Sequence, residues 1–216
     1  MRILVIDDSQ VNRDAAIAQL AGHDVEVAAT YDQGVAHFKV EYDDANVERL
    51  LAERGVVKNE AVSYDFDYEA AKNAAQQESI VPCGFDAVLV DLLMPASRHT
   101  QGPKGMPFVG QEMPIGIFLV LLAAKSGAKH VALMTDTDHH SHPASACLDP
   151  FAYGPINIEG ATVLLCNHPR WVKHYEPDNL TQEMEYEDWG TNQKPSVVAK
   201  DWLSLLNSLM GEPETD

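Results

Sequence analysis

A chain of 216 residues that is 45% apolar can bury a core of ordinary size, either as one large domain or as one domain with insertions and a tail. With 15 Lys and Arg against 33 Asp and Glu, the formal charge is −18; such a surface repels phosphate backbones, which argues against nucleic acid as a direct partner and fits solubility or a basic protein partner. Cys83, Cys147 and Cys166 have no C-x-x-C spacing, no basic-then-apolar leader precedes RILVIDD, and the longest apolar run (114–124) is too short to span a bilayer, so the expectation is a cytoplasmic protein without disulfides or a membrane partner.

The elements follow in chain order. RILVI, from Arg2 to Ile6, is short, continuous and β-branched, as a buried parallel strand should be. Ser9 can cap a helix over about 11–20, with Val11, Ala15, Ala18 and Leu20 as its stripe. DVEVAAT reads as the second strand, and YDQGVAHF starts a second helix that Gly34 weakens. Residues from about 41 to 83 are rich in charge and alanine, and NVERLLAERG and YEAAKNAAQQ have helical spacing; they read as an inserted helical hairpin or excursion. The third strand is Ala87 to Asp91. A Gly- and Pro-rich loop covers about 96–114. IGIFLVLLAAKSGA, apolar nearly all round, suits a helix buried on a sheet face. HVALMT and GATVLLCNHP carry the fourth and fifth strands. In the tail, SVVAKDWLSLLNSLM places Val197, Val198, Trp202, Leu205, Leu206 and Leu209 near helical spacing, which predicts one amphipathic helix that packs back on its own domain or offers a dimer or partner surface. Alternating strands and helices mean α/β with a mainly parallel sheet.

Ligands of such sheets bind beyond the carboxyl ends of the strands. There the first strand runs into Asp7 and Asp8, the third ends on Asp91 and the fourth on Thr135. Carboxylates about 4 Å apart repel by roughly 4 kcal/mol at an effective dielectric near 20, so a cluster of three tends to take up a proton or a cation. Oxygen donors, to which the main-chain carbonyl of Leu93 can add, favour a hard ion such as Mg²⁺. Asp91 could then attack a phosphoryl group whose charge the ion screens, and Thr135 could donate to a phosphoryl oxygen.

ILVIDDS, VLVDLLMP and VALMTDT together resemble the receiver domain of bacterial two-component response regulators. The resemblance covers about residues 1–38, 84–95 and 115–169. It implies a flavodoxin-like fold with a five-stranded parallel sheet and helices on both faces. It also implies Mg²⁺ held by Asp7, Asp8, Asp91 and Leu93, and a phosphoryl group received at Asp91 from a histidine kinase or phosphotransfer protein and sensed by Thr135. The receiver-like domain would span 1–169 and a C-terminal extension 170–216, with output through protein contacts of the insertion or the C-terminal helix and a homodimer as one possible form. The chain departs from the family in three places. The lysine expected before a proline after the fifth strand is replaced by His168, or by Asn167 if the alignment shifts by one. The aromatic switch position falls on Leu164 or Leu165, and Asp136 stands where a small residue is expected. A protonated His168 would partly replace the ammonium. Without phosphorylation, the same fold would be a degenerate receiver that binds partners constitutively.

A rival reading is a metal-dependent hydrolase that uses Asp7, Asp8 and Asp91 with the His139, His140 and His142 cluster, since TDTDHHSHP places these histidines beside Asp136 and Asp138, and imidazole with carboxylate suits zinc or iron. The D-x-D pair of haloacid dehalogenase-type phosphatases is absent, because Ser9 stands two residues after Asp7; the D-x-H-x-x-G motif of cobalamin-binding domains is absent as well. Gly102, Gly105 and Gly110 do not follow a strand with dinucleotide-binding spacing, and Cys166 at a strand end reads as a small buried hydrophobe before a nucleophile.

Overall fold

RILVI and AVLVD have almost no polar side to offer water, and both lie buried at the middle of a sheet. The computed structural model describes residues 1–38, 41–99, 101–151, 154–167, 169–191 and 194–211. In chain order the first elements are β1 (Arg2–Ile6), α1 (Gln10–Gln19), β2 (Asp24–Ala28) and α2 (Tyr31–Ala36). The insertion then contributes β3 (Glu41–Tyr42), α3 (Asp44–Glu53), α4 (Phe66–Gln77) and β4 (Ile80–Val81). Next come β5 (Ala87–Asp91), β6 (Met94–Pro95), β7 (Glu112–Met113), α5 (Gly116–Lys125), β8 (His130–Met134), α6 (Pro143–Ala146), β9 (Ile156–Ile158) and β10 (Ala161–Cys166). The chain continues through β11 (Val172–Glu176), β12 (Asn179–Glu183), β13 (Val197–Lys200) and α7 (Trp202–Met210).

The central sheet runs β2-β1-β5-β8-β10-β9, and all its neighbours are parallel except β10 and β9. Among the described residues it has six strands where the sequence predicts five, because Ile156–Ile158 folds back against the start of β10 as an antiparallel edge. The two-residue period of the strands sorts their side chains between two cores. Leu4, Ile6, Val88, Val90, Val131 and Leu133 meet α5 through Leu119, Val120 and Ala123. Ile3, Val5, Leu89, Ala132 and Met134 meet Ala15 and Ala16 of α1 and Trp202, Leu205, Leu206 and Leu209 of α7 on the other face.

The C-terminal stretch differs from the single helix expected. Val197–Lys200 is a strand, paired antiparallel with β11 in a three-stranded sheet of order β12-β11-β13. The Val197-Val198 pair suits a pleated strand better than a helix. Asp201 then caps α7 by accepting from the Ser204 N–H at 3.0 Å, and Gly211, at φ 74°, closes it in the left-handed conformation. The apolar stripe of α7, Trp202, Leu205, Leu206 and Leu209, is buried against the sheet and completes the second core. The insertion is a helical hairpin, as its spacing predicts. It has a small core of Val47, Leu51 and Ala75, with β3 and β4 paired at its neck. In the long loop, β6 and β7 pair as a hairpin. No helix among the described residues is long and apolar enough to cross a membrane.

Candidate functional site

Parallel pairing of β1 with β5 sets Ile6 opposite Val90, so the next residues, Asp7 and Asp91, emerge side by side at the carboxyl rim. A cavity of about 160 Å³ lies there, lined by Asp7, Asp8, Asn12, Asp91, Leu93 and Lys200 together with Glu112, Asp136 and Thr137. Asp7, Asp8, Asp91 and Leu93, predicted from far-apart stretches, therefore share one wall.

Asp7 is fully buried. Its carboxylate accepts from the Ser9 N–H at 2.8 Å and from the Asn12 amide at 3.2 and 3.3 Å. The larger finding is Lys200, also fully buried, whose ammonium donates to Asp7 Oδ2 at 2.7 Å and to Asp91 Oδ1 at 2.5 Å. Sequence reading finds no lysine for this position and looks to His168 or Asn167. His168 lies outside the described residues. Asn167 is used elsewhere, its amide donating to Ser145 O at 2.7 Å and to Asp149 Oδ1 at 2.8 Å.

Lys200 is brought in by α1. Asn12 Oδ1 accepts from the Lys200 N–H at 3.1 Å, and Gln19 donates to the Lys200 carbonyl at 3.2 Å. Gln19 Oε1 also accepts from the Trp202 N–H at 2.8 Å, and the Trp202 indole donates to Asn12 O at 2.8 Å. One helix thus holds the backbone at 200–202 from two sides and sets its cation between two carboxylates.

Thr135, predicted to sense the phosphoryl group, is buried at the end of β8, and its hydroxyl accepts from the Thr137 N–H at 3.1 Å. Thr137 is the residue that lines the cavity, with Asp136 beside it.

Burial pushes the Asp91 carboxyl up to about 7, against the pull of Lys200, and the negative charge of Asp7 adds to the rise. Asp8 is raised by burial and then by Asp7. Burial alone would lower Lys200, yet Asp91 and Asp7 outweigh it and hold the ammonium charged. Among the described lining residues, five carboxylates face one ammonium. Such an excess of anionic oxygen suits a hard divalent cation. Oxygens of Asp8 and Asp91 and the carbonyl of Leu93 are among the donors there, and they fit Mg²⁺ better than a softer metal.

The histidine loop divides. His139 Nε2 lies 3.0 Å from His140 Nε2, and Asp138 is close enough to form a metal-capable group with them. His142 does not join, since its Nδ1 accepts from the Ala144 N–H at 3.2 Å and caps α6. The hydrolase set named from the sequence is therefore split by this cap. Cys166 is buried, its thiol donates to Leu133 O at 3.3 Å, and burial pushes it up to about 12, far from a nucleophile.

Comparison with known protein families, with curated proteins and with solved structures gives no match.

Proposed function

We propose that this chain is a receiver-like signalling protein in which Asp91 accepts a phosphoryl group, with Mg²⁺ held by Asp8, Asp91 and the main-chain carbonyl of Leu93, beside Asp7. The observation that carries this reading is the buried ammonium of Lys200 between Asp7 and Asp91, on the rim that Asp8 also lines. The lysine expected by resemblance is thus supplied from β13. The strand order supports the same reading: without the β9 edge, the five parallel strands follow 2-1-3-4-5, the flavodoxin-like order with its binding crevice at the carboxyl rim.

The donor is a phosphohistidine of a kinase or phosphotransfer protein. Asp91 Oδ1 is held by Lys200 and is the oxygen that would also meet the ion, which leaves Oδ2 to attack phosphorus. The P–O bond forms as the P–N bond breaks, and the leaving imidazole keeps the electron pair and takes a proton from solvent. Attack needs the ionised carboxylate, which burial disfavours near neutrality. A bound Mg²⁺ supplies positive charge that favours ionisation and offsets phosphoryl charge. Lys200 then turns from Asp91 Oδ1 to a phosphoryl oxygen, and the Thr137 hydroxyl takes the donor role that sequence reading gives to Thr135. The insertion carries the output, with Val57, Tyr64 and Phe66 exposed on it for a protein partner.

Beryllofluoride uptake in Mg²⁺, followed by ¹⁹F NMR in wild type and Asp91→Asn, tests this. The wild type should take up the ligand and the variant should not. Uptake that is unchanged in the variant overturns the reading. A second reading, a degenerate receiver that binds partners without phosphorylation, is favoured by the near-complete burial of Asp91 under Lys200. It predicts Mg²⁺ binding with no uptake in either protein.

A further inference from the structure

The loop after β8 carries a group of side chains that the phosphoryl-acceptor reading does not use. His139 Nε2 and His140 Nε2 face each other at 3.0 Å, and a carboxylate oxygen of Asp138 lies within 4.8 Å of both. Nitrogen ligands of a tetrahedral zinc at its usual bond length stand about 3.3 Å apart, so the pair needs only a few tenths of an ångström of adjustment. The far side of His139 is already fixed: its Nδ1 is 2.9 Å from Asp149 Oδ1, and Asn167 donates to the same oxygen at 2.8 Å. An imidazole whose second nitrogen is held by a carboxylate has its other lone pair directed outward, the usual support of a metal-bound histidine.

The support continues into the body of the protein. Asn167 also donates to Ser145 O at 2.7 Å, and the buried Ser145 hydroxyl donates to Thr137 O at 2.7 Å. Asp138 is held as well, its Oδ1 accepting from the His140 N–H at 2.8 Å, which leaves Oδ2 for a ligand. Two imidazoles and one carboxylate, partly open to solvent, form a three-ligand set with room for water.

We infer that Asp138, His139 and His140 form a binding site for a borderline divalent metal of the zinc class, with Asp149 and Asn167 orienting His139, separate from the carboxylate-lined cavity at Asp91. The site stands next to Asp136 and Thr137, which line that cavity. A metal here would therefore pin the loop that forms one side of the acceptor site.

Co²⁺ titration of the chelator-stripped full chain, followed by visible d–d absorption, tests this. In excess Mg²⁺, which fills the site at Asp91, one Co²⁺ should bind per chain and be displaced by Zn²⁺. His139→Ala and His140→Ala should each weaken binding at least about tenfold, and Asp149→Asn by ~10–100-fold, while Asp91→Asn leaves it unchanged. These side chains sit at the surface, and far-UV circular dichroism of each variant checks that it folds. The inference fails if no Co²⁺ band appears or if the band survives both histidine changes. It also fails if Asp91→Asn abolishes the band, since the ion would then sit among the carboxylates. Beryllofluoride uptake does not enter this test, so it stands or falls apart from the phosphoryl-acceptor reading.

Discussion

Removing the ammonium of Lys200 would leave Asp7 and Asp91 buried as neighbouring carboxylates with no cation between them. Breaking a buried pair from one side costs on the order of 3–5 kcal/mol, so Lys200→Met should lose about that much in urea unfolding at pH 8 without divalent ions, and Mg²⁺ should restore part of it. The pH dependence follows from Asp91. Its folded value is raised from the ordinary 3.8 to about 7, so between these values the native state holds a proton that the unfolded state has released. Its contribution to stability is full below the unfolded value and is lost as pH rises through about 7. Urea midpoints of wild type should therefore fall over that window relative to Asp91→Asn. The carboxylates and Leu93 were legible because each lies at the end of a strand or within two residues of it. Lys200 was not, because it is 109 positions from Asp91 and 193 from Asp7, and its neighbours also fit a helical stripe. The signal that could have found it is a lysine closing the Val-Val-Ala run, two positions before the start of α7.

At the scale of elements, the meeting of α5 with the end of β5 is the tightest constraint on the site. A Cβ on Gly116 would lie 1.8 Å from the carbonyl oxygen of Asp91, so α5 can start where it does only with glycine there. Gly116→Ala must push the helix or the strand end aside. It should cost about 1–3 kcal/mol by the usual penalty for overpacking and weaken Mg²⁺ binding, whereas Gly22→Ala, which meets nothing within 4 Å, should do neither. Thermal melts with Mg²⁺ titrations of both variants check this. The long strands and helices could be read from periodicity. The hairpin of β6 and β7 could not, since two-residue strands carry no period, and β13 was hidden because a strand joined to a helix through Asp201 mimics one longer helical stripe.

Across the whole molecule, the two additions to the α/β core are not equivalent. The hydrogen bonds of residues 43–79 stay within the insertion among the described residues, and its core is its own. Replacing 44–78 by a short flexible linker should leave the melting transition cooperative and beryllofluoride uptake intact. The segment after β10 is the opposite case, because α7 closes one face of the sheet and β13 delivers Lys200. That arrangement sets an order on biosynthesis. Asp91 leaves the ribosome long before residue 200 is made, so a nascent chain carries Asp7 and Asp91 without their counter-ion. The buried charge cluster of Asp7, Asp91 and Lys200 is therefore completed only after translation has passed β13 and α7 has docked on the sheet.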